Sequence, residues 1–269
     1  MTVNDIAEIE KLRFEGIAIP DQAALFWVFS VGWRKGVYFD FQPLHLEGTR
    51  RDYDHERLFG SFWSYLARQH LFSLSEPGWC YLFDQGWFPF IGLSDKLVKT
   101  LVGRAEQNDA VDILVSKVAE EIEAKLPAMI ETWSKTPELR PHLPILERAA
   151  ERFMEGDFVS ATGLLYPRIE GILRTMNAAR QGKKSPKSHD LVESLLRDTE
   201  PLHCFSWLLP DRFRRYLREV YFRSFKPGEE VRLSRHSVSH GIASAEEFNQ
   251  KAACIGLLVV HQMFYFAPQ

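Results

Sequence analysis

At 269 residues, 45% of them hydrophobic, the chain can bury one or two cores without disulfide staples. Its net charge of -3 excludes a globally cationic nucleic-acid binder, and Cys80, Cys204 and Cys254 lie too far apart for a zinc ribbon or a paired-thiol site. The charge is uneven, however: from Arg174 to His240 there are 14 Lys and Arg against 8 Asp and Glu, net +6, which leaves -9 for the remainder.

The first residues, MTVNDIAEIEKLRFEG, are acidic and mixed, with neither the basic nor the apolar region of a secretory signal. The longest apolar run, ACIGLLVVHQMFYF, is too short and interrupted to span a bilayer. Together with unpaired cysteines, these features predict a soluble cytoplasmic protein with no membrane partner.

Two aromatic-rich segments follow, ALFWVFSVGWRKGVYFDFQPL and PGWCYLFDQGWFPFIGL. They read as short strands or irregular loops pinned by large rings, with core packing the expected role and base stacking the alternative. Between and after them, ERLFGSFWSYLARQHLF and VDILVSKVAEEIEAKLPAMIETW read as helices. Three prolines within SKTPELRPHLP then mark a change of style, placing a boundary between an aromatic-rich, mostly helical region of unknown role, 1–138, and a helical bundle, 139–269.

In ILERAAERFMEGDF, Ile145, Leu146, Ala149, Ala150, Phe153 and Met154 recur on one helical face, expected to be buried. Gly156 ends that helix and Asp157 is placed to cap the next, over about Phe158 to Ala179, so the two form an antiparallel pair. A basic loop with Lys183, Lys184 and Lys187 precedes a helix opened by His189 or Asp190. Pro210 and Asp211 start another helix, and Lys226-Pro227-Gly228 stops it. Its apolar face leaves Arg214, Arg215 and Arg218 opposite, toward solvent or a polyanion. Ser244 and Glu247 have capping-box spacing before a final helix, to about Phe266, that is apolar on most sides and central to the bundle.

Between these helices, RLSRHSVSHGIASAEEF gathers Arg235, His236 and His240. Three readings compete. His236 and His240, four apart, could clip a metal, but no third ligand is apparent, so no metal or cofactor is expected. They could cap a helix end that Gly241 turns. Or a guanidinium that grips phosphate and an imidazole that exchanges protons near neutral pH could cleave RNA. Residues five apart on a straight helix diverge by about 140 degrees. Arg235 and His240 therefore converge only through a bend or across a symmetric interface.

Arg235-x4-His240 before the last helix, in SRHSVSHG, with YPRIEGIL upstream, resembles the HEPN superfamily over about residues 140 to 267. The resemblance implies a helical bundle, commonly a homodimer that joins two Arg/His motifs, and in many members a metal-independent endoribonuclease of toxin, phage-defence or RNA-processing role. It implies Arg235 on the scissile phosphate and His240 as acid/base, with His236 where the family often has asparagine. Glu170, in IEG, is either the partner that holds this arginine or histidine, or a helix-surface carboxylate paired with Arg174; Gly171 would allow close helix approach. RNA would be drawn in by Arg214, Arg215, Arg218 and the loop lysines. A partner antitoxin or regulatory protein fits the toxin role. The alternative is a non-catalytic dimeric module that holds a nucleotide, RNA or a protein.

Overall fold

The computed structural model describes residue 16 and residues 25–40, 55–181, 188–197, 205–224 and 231–267. The architecture is mainly α, as the helical periodicity predicts. The chain divides into two compact units: 1–73 with 201–209, and 74–200 with 210–269.

The first unit carries a hairpin, β1 (Leu25–Val31) and β2 (Arg34–Asp40), followed by α1 (His55–Ala67) and the short α2 (Gln69–Phe72). Gly32 takes φ +61 at the first position of the two-residue turn, where a side chain would be strained. The Trp27 and Phe59 rings lie 4.0 Å apart between hairpin and α1. Leu66 comes so close beneath Gly36 that a Cβ there would sit 2.9 Å from its Cδ1. Phe26, Val28 and Val37, on the alternate positions of the strands, are exposed.

The second aromatic segment differs from expectation. It opens with α3 (Glu76–Asp84), because Ser75 accepts the Gly78 N–H at 3.2 Å and Pro77 sits in the first turn, a strong helix start. Only the stretch after Gly86 is irregular, and there Trp87, Phe88 and Phe90 are fully buried, so these rings are core. Trp87 Nε1 donates to Asp112 Oδ1 at 2.7 Å, satisfying its one polar atom.

The remaining helices of this second unit are α4 (Asp95–Glu106), α5 (Val115–Lys135), α6 (Leu143–Met154), α7 (Phe158–Gln181), α8 (Ser188–Arg197), α9 (Pro210–Tyr216), α10 (Arg235–Ser239) and α11 (Gln250–Phe264). Helix α11 packs on α5, α6 and α7, and its residues 252–260 are all buried, as expected of a central helix. Helices α11 and α7 come close at Gly256, where an added Cβ would lie 2.9 Å from Leu165 Cδ1. At Gly171 the neighbour is the His142 ring, 3.3 Å from such a Cβ.

The prolines between residues 134 and 144 do not separate units. They turn α5 into α6 inside one unit, and Leu139 between them is fully buried, so the break expected at 138/139 falls within continuous packing. The α6–α7 joint follows its sequence signals closely. Gly156 at φ +77 and the Asp157 N–H to Arg152 O bond of 2.9 Å close α6, while Asp157 Oδ1 accepts the Ser160 N–H at 3.0 Å to open α7.

Two capping expectations change. Ser244 and Glu247 form no capping box: Glu247 Oε2 accepts the Leu233 N–H at 3.0 Å instead, and Asn249 Oδ1 caps α11 through the Ala252 N–H at 3.1 Å. Helix α9 ends in a widened turn over Leu217–Tyr221, before the Lys226-Pro227-Gly228 stop signal, which lies outside the described residues. No helix among the described residues is long and apolar enough to cross a membrane.

Candidate active site

Arg235, His236 and His240 sit on a single helical turn clamped at both ends. At its start, Ser234 Oγ accepts the Ser237 N–H at 3.1 Å and Ser237 Oγ accepts the Ser234 N–H at 2.8 Å, a reciprocal capping box in which both serines are buried. At its end, His240 is the C-cap and Gly241 follows at φ +67. The Ile242 N–H reaches Ser237 O at 3.0 Å and the Gly241 N–H reaches Val238 O at 3.2 Å, the paired bonds of a left-handed helix cap. An isolated turn of five residues would not persist in water; these four local hydrogen bonds hold it. The sequence signal for the start was present in Ser234 and Ser237, three apart.

Glu170 on α7 anchors this turn to the bundle. Its side chain is 8% exposed, with Oε2 2.6 Å from Arg235 Nε, a close ion pair whose N–H is not aligned on the oxygen. Its other oxygen accepts from Arg174 Nη2 at 2.7 Å and Nε at 3.1 Å, so Glu170 meets Arg235 and Arg174 at once, as a buried carboxylate and not the helix-surface one of the alternative. One carboxylate thus faces two guanidiniums.

The imidazoles complete the arrangement. Arg235 Nη1 lies 3.5 Å from His236 Nδ1, the outer limit of a hydrogen bond that would leave that nitrogen as acceptor. The His236 and His240 rings are nearly parallel at 6°, with centroids 6.2 Å apart. Burial, then the Arg235 guanidinium and His240, holds the His236 pKa below the ordinary histidine value, against the opposite pull of Glu170. His240 is exposed, and no hydrogen bond joins it to Arg235; His236 stands between them within one chain. Phe222 closes the side of the turn, its ring edge-on to His236 at 6.4 Å.

The α9 arginines are placed differently from a free basic stripe. Arg214 is engaged by Asp211 and by Glu193 at 3.5 Å, and Arg218 by the same Glu193 at 3.3 Å. Arg215 meets Glu219 at 3.0 Å and Glu76 at 2.9 Å. Two of these four carboxylates, Glu76 and Glu193, come from α3 and α8, which a helical projection of α9 alone cannot show. Lys183, Lys184 and Lys187 lie outside the described residues.

A cleft of about 320 Å³ opens on the far side of Leu233, floored by Phe83, Tyr166, Tyr216 and Tyr221. Tyr166 and Tyr221 stack at 5.0 Å, and the Tyr221 hydroxyl donates to Tyr166 O at 2.9 Å. Among the described residues, no three His, Cys, Asp or Glu side chains are grouped as metal ligands. No protein-family model, no curated protein and no solved structure matches this chain.

Proposed function

We propose that this chain is a metal-independent endoribonuclease of HEPN type, acting in the cytoplasm as a homodimer in a toxin or phage-defence role. The observation that carries the reading is the Glu170-anchored Arg235 beside two parallel imidazoles on one clamped turn. Arg235 receives the scissile phosphate and stabilises the charge that develops on it. A neutral imidazole takes the proton from the 2'-OH, the 2'-oxygen bonds to phosphorus, and the bond from phosphorus to the 5'-oxygen breaks. A proton delivered to that oxygen completes the step, leaving a 2',3'-cyclic phosphate and a 5'-OH. His240, the exposed imidazole, is the proton-transfer group; His236, held neutral, orients Arg235 through Nδ1.

A second reading is favoured by the closed ion pairs of Arg214, Arg215 and Arg218, which leave α9 a poor track for a polyanion. In that reading the protein is a non-catalytic dimeric module that binds a nucleotide, RNA or a protein partner. The deciding experiment incubates wild-type and His240→Ala protein with total and synthetic RNA in EDTA, with mass analysis of product ends. Cleavage by wild type alone, leaving cyclic phosphate, supports the ribonuclease. Cleavage by neither, with RNA or nucleotide still bound, supports the module.

A further inference from the structure

The apolar pattern of α6 puts Met154 on its buried face, yet Met154 is 56% exposed. It borders a groove of about 680 Å³ between α5 and α6, which runs along roughly two turns of each helix. Leu126 and Ala150 are buried and close the floor, while Pro127, Ile130 and Met154 leave apolar surface open above them. The rim carries one sign of charge. Glu123 stands on the α5 side and Glu147, Glu151 and Glu155 on the α6 side, and no lysine or arginine lines the groove. Arg148 and Arg152 reach Glu151 and Glu155 at 2.7 and 2.6 Å, but these are i,i+3 pairs at the surface and weak. Glu123 and Glu147 have no hydrogen-bond or ion-pair partner for their carboxylates among the described residues. Pro127 adds an acceptor: it lies inside α5 and brings no N–H, so the Glu123 carbonyl lacks the bond from the residue four along.

An apolar trough of two turns between acidic walls matches one face of an amphipathic helix with basic flanks. We propose that the groove docks a cationic amphipathic helix of another protein. Its apolar residues, at i, i+3 or i+4 and i+7, lie on Pro127, Ile130 and Met154, and its lysines or arginines lie on Glu123 and Glu147. Charge decides among the occupants. A second copy of this chain, groove on groove, would set the same glutamates against themselves, and RNA would set phosphates against four carboxylates; both repel. A basic helix gains from the same rim, and its ammonium or guanidinium donors meet the Glu123 carbonyl as well as the carboxylate. Because the attraction is between exposed charges, docking weakens as salt rises. The ribonuclease reading has no part in this: the groove lies on α5 and α6, whereas the Arg235 turn packs on α7.

The test is fluorescence anisotropy of a labelled leucine/lysine peptide of about 18 residues, long enough to form a helix. Its leucines fall at i, i+3, i+4 and i+7, and the full chain is titrated into it. Binding should saturate at micromolar protein and be at least about tenfold weaker for Met154→Asp and for the double variant Glu123→Lys, Glu147→Lys. It should be unchanged for Glu246→Lys, an exposed acid outside the groove. Met154, Glu123 and Glu147 are all exposed, so these variants keep the fold, which thermal melting checks. A peptide with glutamate in place of lysine should not bind. Failure of the lysine peptide to saturate, equal binding by the groove variants, or equal binding of the glutamate peptide each overturns the proposal. Sedimentation supplies the rival: a dimer of the wild-type chain that Met154→Asp converts to monomer gives the groove to a second copy and overturns it too.

Discussion

Replacing Glu170 by glutamine keeps the side-chain shape and removes the carboxylate charge that Arg235 and Arg174 share. Its consequence can be worked from exposure. The Arg174 side chain is 42% exposed, so its i,i+4 pair with Glu170 is worth only about 0.5 kcal/mol. Arg235 is 22% exposed against a carboxylate at 8%, close to the buried case in which removing one partner costs about 3 to 5 kcal/mol. Discounted for the exposed part of the guanidinium, Glu170→Gln should cost about 3 kcal/mol. Arg235→Gln should cost about 1 kcal/mol, because Glu170 keeps Arg174 and is not left unpaired. For a unit of this size the difference corresponds to about 4 to 8 °C in melting temperature. The two changes should also be strongly non-additive: in the Glu170→Gln background, losing Arg235 removes a repulsion and costs nothing further. Thermal unfolding of the two single variants and the double variant, at one fixed salt concentration, measures this. Equal destabilisation by the two single changes, or simple addition in the double, would refute the claim that one carboxylate serves both arginines.

Two further outcomes follow from local geometry. Gly241→Ala meets no atom within 4 Å but must hold a side chain at φ +67, so it should destabilise by about 1 to 2 kcal/mol by denaturant unfolding and, by tilting His240, lower RNA cleavage more than it lowers stability. The His261 ring is half-buried beside Trp133 with its buried Nδ1 unpartnered, and burial, aided by Lys125, pushes its pKa down to about 4. The folded state thus resists protonation: its contribution is complete above about pH 6.5 and is lost as pH falls toward 4, about 2 kcal/mol of it by pH 5, a loss that His261→Phe should abolish in pH-dependent melting curves.

Local signals were legible where the partner lies within a few residues. Gly156 and Asp157 end one helix and begin the next, Pro210 opens α9, and the apolar run of α11 marks the central helix. Two of the failures share one cause, a distant partner that a local pattern cannot show. Glu247 has the spacing to cap its own helix, yet the Leu233 N–H takes its oxygen. Arg214, Arg215 and Arg218 share a solvent side of α9, yet Glu76 and Glu193 reach them from α3 and α8. Glu170 and Arg174 are legible as an i,i+4 pair, whereas the contact of Glu170 with Arg235 depends on how α10 docks on α7. The prolines after residue 134 signal a break in helix correctly, but a helix break inside a core and a domain boundary look alike in sequence.

The same distinction between local and distant pairing ranks the basic residues as phosphate ligands. A guanidinium whose hydrogen bonds are already satisfied by carboxylates must exchange those partners for phosphate, and gains only the difference. On α9 each arginine that faces outward would have to make that exchange. At the α10 turn, Arg235 shares Glu170 with Arg174, and its Nε–H is not aligned on the carboxylate oxygen, so an arriving phosphate displaces less there than a fully hydrogen-bonded pair. Charge on α9 then serves to join α9 to α3 and α8, and under the ribonuclease reading the selection of phosphate falls to Arg235, beside the imidazoles.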